Sequence, residues 1–166
     1  MNLKKWHFWG FVFILAMGVF LHYAYELSGE NHIVGYFSAV NESVWEHLKL
    51  IFWPALWFSV AEYFAYGKHE CDFFAVKMCS TVTALAFIVV FFYTYSGILG
   101  FSLVAVDIAS FALADALCQY ISYRLFMADS AGDRADNFRG LVVLMLLAAC
   151  FILWTYSPPN LGLFWG

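Results

Sequence analysis

Asn41-Glu42-Ser43-Val44-Trp45-Glu46-His47-Leu48-Lys49 is a polar run set between stretches apolar enough to dissolve in lipid. Ser43 followed three residues later by Glu46 matches a capping box, with Ser at the N-cap and Glu at N3, so the run marks the start of a helix. Glu42 beside that helix N-terminus suits the helix dipole, and Glu46 and Lys49 are spaced to pair at i,i+3. The residues that follow, Leu48 to Tyr66, stay apolar long enough to cross a bilayer, which takes about 17–25 residues. Ionisable groups at such a boundary are costly and need partners or a purpose.

Working outward, four further stretches have the same character, and together they predict an all-α, polytopic membrane helical bundle of five transmembrane helices. The spans fall at 6–27, 48–66, 74–95, 98–125 and 138–156, within one integral membrane domain covering 1–166. Composition agrees. The chain is 64% hydrophobic and only 12% charged, about half the charge of a soluble domain. A net charge of −4, spread along the chain, leaves no electrostatic footprint for nucleic acid. Cys71, Cys79, Cys118 and Cys150 form no CxxC pair, which argues against a thiolate metal site or a redox motif.

Lysine and arginine placement sets the orientation. With the N-terminus in the cytoplasm, the inner segments hold Lys4, Lys5, Lys68, Lys77, Arg124, Arg134 and Arg139, and the outer segments hold only Lys49. That bias requires an odd number of spans and places the C-terminus outside. His22-Tyr23-Ala24-Tyr25 offers no small-x-small cleavage pattern, so the first span is expected to be retained rather than removed as a signal peptide. Trp6, Trp9, Trp45 and Trp53 fall where aromatic belts form. Pro54 removes a backbone donor early in the second span and should kink it. Only Ser96-Gly97 separates the third and fourth spans, which predicts a tight hairpin. The fourth span carries Ser102, Ala105, Ala109, Ser110, Ala112, Ala114 and Ala116, a small-residue run expected at the centre of the bundle. No internal repeat marks an inverted-repeat transporter. The loop from Asp129 to Asp136 lacks calcium-loop spacing and reads as solvated.

The remaining polar residues sort by depth. His22 and Glu26, one turn apart on one helix face, join Glu42, Glu46, His47 and Asp107 in an outer cluster, with Glu30 and His32 in the loop between. Glu62 and Asp115 form an inner, intramembrane acidic pair. Imidazole with carboxylate suits a divalent metal, zinc, iron or manganese, and such sets can leave a position open. Capping accounts for Ser43 and Glu46 without any function, but not for His47, His22 or Glu26. Intramembrane acids are what a proton relay or cation path uses; Asp115 also has Gln119 one turn on and Arg124 beyond as ordinary partners. Ser43-x-x-x-His47 with Asp107 is similar to part of the pattern of ceramidase-type membrane hydrolases, whose late His-x-x-x-His pair this chain lacks.

The Asn41–Lys49 run, with Phe52, Pro54 and the late Thr155-Tyr156-Ser157-Pro158-Pro159 and Leu163-Phe164, resembles an uncharacterised bacterial family of small multi-pass membrane proteins, classed as a domain of unknown function. The resemblance covers most of the chain. It implies a bacterial cytoplasmic (inner) membrane protein and supplies no activity. The expected function is an outward-facing His/Glu/Asp pocket that binds a divalent metal or other cation in transport, sensing or an accessory role. One alternative is a metal-dependent hydrolase of a lipid or lipid-linked substrate, with Glu46 or Asp107 as general base. Another is a structural subunit of a membrane complex. The expected partners are the lipid bilayer, a small cation or lipid-linked ligand, and a second copy or another membrane protein.

Overall fold

The computed structural model describes residues 2–128 and 133–165, so Asp129, Ser130, Ala131 and Gly132 of the expected solvated loop lie outside it. Among the described residues the chain is all helical: α1 (Leu3–Leu27), α2 (His32–Gly35), α3 (Val44–Ala65), α4 (Phe73–Leu99), α5 (Val104–Met127) and α6 (Arg134–Tyr156), with 3-10 turns at Gly67–His69 and Gly162–Phe164. The long helices pack side by side, α1 against α3 and α5, and α4 against α3, α5 and α6, and α1, α4, α5 and α6 are each long and apolar enough to cross a membrane.

α3 is the exception, and its position explains why. It carries Glu46, Lys49 and Glu62, and nearly every residue from Val44 to Ala55 is buried. Trp45 and Phe52 stack on Phe151 of α6, at centroid separations of 4.5 and 4.8 Å. A helix enclosed by other helices need not be lipid-soluble; its polar groups have only to be paired. The centre of the bundle is therefore α3, not the small-residue helix α5. Ser110, Ala114, Cys118 and Ser122 do line one buried seam of α5, but Ala105, Ala109 and Ala116 are exposed. Small residues let one face approach closely; they do not draw a whole helix inside.

Close approach is concentrated at glycines. Pro54 lies inside α3 and leaves the Leu50 carbonyl without its helical donor. Gly18 of α1 packs there, where a Cβ would stand 2.8 Å from that oxygen. At Gly140, α6 crosses α4 so tightly that a Cβ would meet the Ala75 nitrogen and the Phe74 oxygen at 2.5 Å. The α4–α5 hairpin is wider than the expected Ser96-Gly97 turn. Helical bonding continues to Leu99, and Gly100, at φ +80°, closes the helix in the left-handed conformation that glycine adopts without a Cβ clash. After α6 the tail folds back, laying Phe164 on Trp45 (4.9 Å between centroids) and Trp154 (5.7 Å).

Gly140→Ala should lower the unfolding free energy by about 1–3 kcal/mol, because backbone atoms rather than side chains must move. Gly97→Ala, with open space around its Cβ, should be neutral or stabilising by up to about 1 kcal/mol. Equilibrium unfolding of both variants in mixed micelles checks the pair, and equal losses would contradict the crossing.

Candidate metal centre and a buried ionic core

The start of α3 is built from its own polar residues. The Asn41 side-chain oxygen accepts from the Ser43 N–H at 2.9 Å, and Ser43 Oγ accepts from the Glu46 N–H at 3.3 Å. Half of the expected capping box is therefore present. The other half is replaced, because Asn41 already holds the N-cap N–H. The Glu46 carboxylate turns inward instead, accepting from the Val40 N–H at 2.9 Å and facing Lys49 Nζ at 2.5 Å. Lys49 Nζ also donates to the Gly35 carbonyl (2.8 Å) and to Thr155 Oγ1 (3.2 Å). An ammonium has three N–H bonds, and all three are used. Glu46 and Lys49 are both buried, so this pair ties α3 to the α2 loop and to α6.

With Glu46 turned in, His47 and Glu42 are left on the outside. His47 Nδ1 lies 2.9 Å from the Ser43 carbonyl. A carbonyl only accepts, so Nδ1 carries the hydrogen and Nε2 presents its lone pair. That lone pair faces Glu42 Oε2 at 3.4 Å. A metal ion placed between these two acceptors would be held by both. His22, near the end of α1, completes the group: its ring lies 5.3 Å from that of His47, and the ligand atoms of His22, Glu42 and His47 all lie within 4.8 Å of one another. Donors around one zinc ion sit roughly 3–3.5 Å apart at ordinary bond lengths, a difference that side-chain rotation closes. The Glu42 side chain is 76% exposed and that of His47 34%, so the group faces outward.

The other residues expected in this cluster are placed elsewhere. Glu26 is exposed one turn beyond His22 and is not among the three gathered groups. Glu46 belongs to the Lys49 pair. Asp107 accepts a hydrogen bond from the Tyr95 hydroxyl, which in turn accepts from the Leu103 N–H at 3.2 Å and braces the α4–α5 hairpin. His32 stacks on Tyr156 (4.6 Å), whose hydroxyl donates to the His32 carbonyl.

The opposite end of the bundle holds a second ionic core that sequence reasoning only half reached. Glu62 of α3 pairs with Lys77 of α4 at 2.5 Å and accepts from the Tyr66 hydroxyl at 2.7 Å. Lys77 donates to Ser122 Oγ at 3.0 Å and lies between the rings of Phe73 (5.7 Å) and Phe126 (5.4 Å). His7 of α1 joins through Gln119 at 2.9 Å, with Glu62 at 3.9 Å. Lys77 and His7 were missed as core residues. The available signal was a lysine one turn inside an otherwise apolar helix. Asp115 is fully buried, and neither of its oxygens has a partner among the described residues. Its two expected partners are occupied: Gln119 turns to His7, and Arg124 reaches the Tyr120 hydroxyl at 3.0 Å.

The chain belongs to a family of unknown function, DUF6512, whose model matches residues 1–166. No curated protein and no solved structure matches it.

Lys49→Met should cost about 3–5 kcal/mol, because it strands the Glu46 carboxylate in a buried site. Adding Glu46→Gln should restore most of that loss. A double-mutant cycle by equilibrium unfolding in micelles checks it, and simple additivity would show that the two side chains act independently.

Proposed function

We propose that this protein is a five-span inner-membrane protein, N-terminus in the cytoplasm, that binds a divalent cation at its outer end through His22, Glu42 and His47. The observation that carries the reading is the opposition of His47 Nε2 and Glu42 Oε2 across 3.4 Å, with Nδ1 tethered to a backbone carbonyl. A metal-binding histidine characteristically donates its other nitrogen in this way, which fixes both tautomer and ring direction. Two imidazoles and a carboxylate suit zinc, iron or manganese and leave coordination positions for water or a ligand.

The orientation is supported by the same lysines that complicated the sequence count. Lys49 and Lys77 are buried ion-pair members, not loop charges. Setting them aside leaves Lys4, Lys5, Lys68, Arg124, Arg134 and Arg139, all at the end of the bundle opposite the His47 group. α3 serves as the fifth span, shielded by its neighbours.

Transport, sensing or an accessory role fits this site better than hydrolysis, because both carboxylates expected as general base are engaged, Glu46 by Lys49 and Asp107 by Tyr95. Transport further requires an acidic group on the path through the membrane, and Asp115, buried without a partner, is the one available among the described residues.

Metal analysis by mass spectrometry on detergent-purified protein should find near-stoichiometric zinc, iron or manganese. That metal should be lost in His47→Ala and His22→Ala and reduced at least tenfold in occupancy at limiting metal in Glu42→Gln. No metal after supplementation would remove the reading. In proteoliposomes, Asp115→Asn should abolish metal flux while leaving bound metal intact; unaltered flux would exclude transport through Asp115 and leave binding alone.

A further inference from the structure

At the lysine- and arginine-rich end, a cleft of about 460 Å³ lies between the α3–α4 connection and the start of α6. Its two halves differ in chemistry. One wall is apolar: Tyr63, Phe74, Phe138 and Leu141, with Phe138 66% exposed. The rim carries Lys68, His69 and Arg134, all exposed, and neither Lys68 nor Arg134 has an ion-pair partner among the described residues. Asn137 adds a neutral donor. Its oxygen accepts from the Phe74 N–H at 2.6 Å, which fixes the amide orientation and leaves the NH₂ unspent. Glu70 also lines the cleft; one carboxylate against two permanent cations leaves the rim net positive.

We infer that this cleft binds the headgroup of an anionic phospholipid, the phosphate held by Lys68, Arg134 and Asn137 and the upper acyl chain laid along Phe138 and Leu141. The amphipathic wall selects a lipid over a soluble anion. A free phosphate would use the rim and leave the aromatic side facing nothing, whereas a bilayer lipid fills both halves without leaving the membrane. Basic pockets between helices at the cytoplasmic surface are the usual place for such headgroups. The inference is independent of the metal centre, which lies at the other end of the bundle.

The test uses the full-length, delipidated protein in neutral micelles, titrated with fluorescent phosphatidylglycerol. Unlabelled phosphatidylglycerol should compete, while phosphatidylcholine and inorganic phosphate should not. A basic side chain beside an anionic headgroup contributes on the order of fivefold in affinity, so K68Q/R134Q should weaken binding about thirtyfold, with helical content unchanged because both positions are exposed. K68R/R134K should keep the affinity. R139Q, an exposed cation on the same end paired with Asp136 at 2.9 Å, should bind as wild type. Wild-type affinity in K68Q/R134Q, or equal loss in R139Q, would overturn the assignment to this cleft. Equal competition by phosphatidylcholine would overturn the selection for charge, and competition by inorganic phosphate would move the site to a soluble anion.

Discussion

The Glu46–Lys49 ion pair is the interaction on which the outer half of the molecule depends. Burying a lysine and a glutamate costs several kcal/mol per charge unless every lone pair and proton is met. Here the ammonium meets a carboxylate, the Gly35 carbonyl and the Thr155 hydroxyl, and the carboxylate takes the Val40 N–H as well. Those partners come from three separate stretches of chain. Losing any one leaves a buried charge short of a bond, so the α2 loop, the start of α3 and the end of α6 are held to one arrangement. Trp53 reinforces it by donating to the Tyr36 carbonyl at 3.1 Å.

Glu62 and Lys77 repeat this solution at the other end, with a difference in geometry. There the lysine belongs to α4, and two aromatic faces complete its surroundings, a contact worth more when desolvated. Both carboxylates, Glu46 and Glu62, belong to α3. α3 is therefore a polar spine, enclosed by an apolar jacket from Val44 to Ala55 and exposed at Val60 and Phe64, with its charges paired at both ends. The jacket helices carry most of the exposed apolar surface, and the spine carries the carboxylates of both buried pairs.

This division explains what could be read from the chain and what could not. The jacket was legible, because a helix that faces lipid must be apolar along most of its length, and α1, α4, α5 and α6 each carry that signature. The start of α3 was legible from Ser43 and Glu46, since a cap is a local bond. The Glu46–Lys49 pairing was legible from its i,i+3 spacing, but the Val40 N–H that the same carboxylate accepts was not, because only the folded loop brings it there. His22, Glu42 and His47 could be named from their chemistry, but their meeting depends on α1 and α3 lying side by side. Lys49 and Lys77 misled in a specific way. A lysine near the end of a span is ordinarily a loop charge; the i,i+3 spacing did offer Glu46 to Lys49, but nothing in the sequence said that Glu62 waits for Lys77 on a neighbouring helix. Asp107 was drawn to the metal group by charge alone, and Tyr95, twelve residues away across a turn, claims it.

The buried pair and the outward site are two consequences of one placement. Glu46 holds the Val40 N–H and Asn41 holds the Ser43 N–H, so residues 40–43, which include Glu42, are set against the first turn of α3. The Ser43 carbonyl then orients the His47 ring. Trp45 and His47, two residues apart, project to nearly opposite sides of the helix. The tail that rests Phe164 on Trp45 therefore braces the helix from behind and leaves the His47 side open. Support behind the His47 ring, with its inner nitrogen on a backbone carbonyl, fixes the direction of its outer nitrogen. Of the three gathered groups Glu42 has the exposed side chain, and His22 reaches the other two from α1 through its ring contact with His47, so their meeting rests on the packing of α1 against α3.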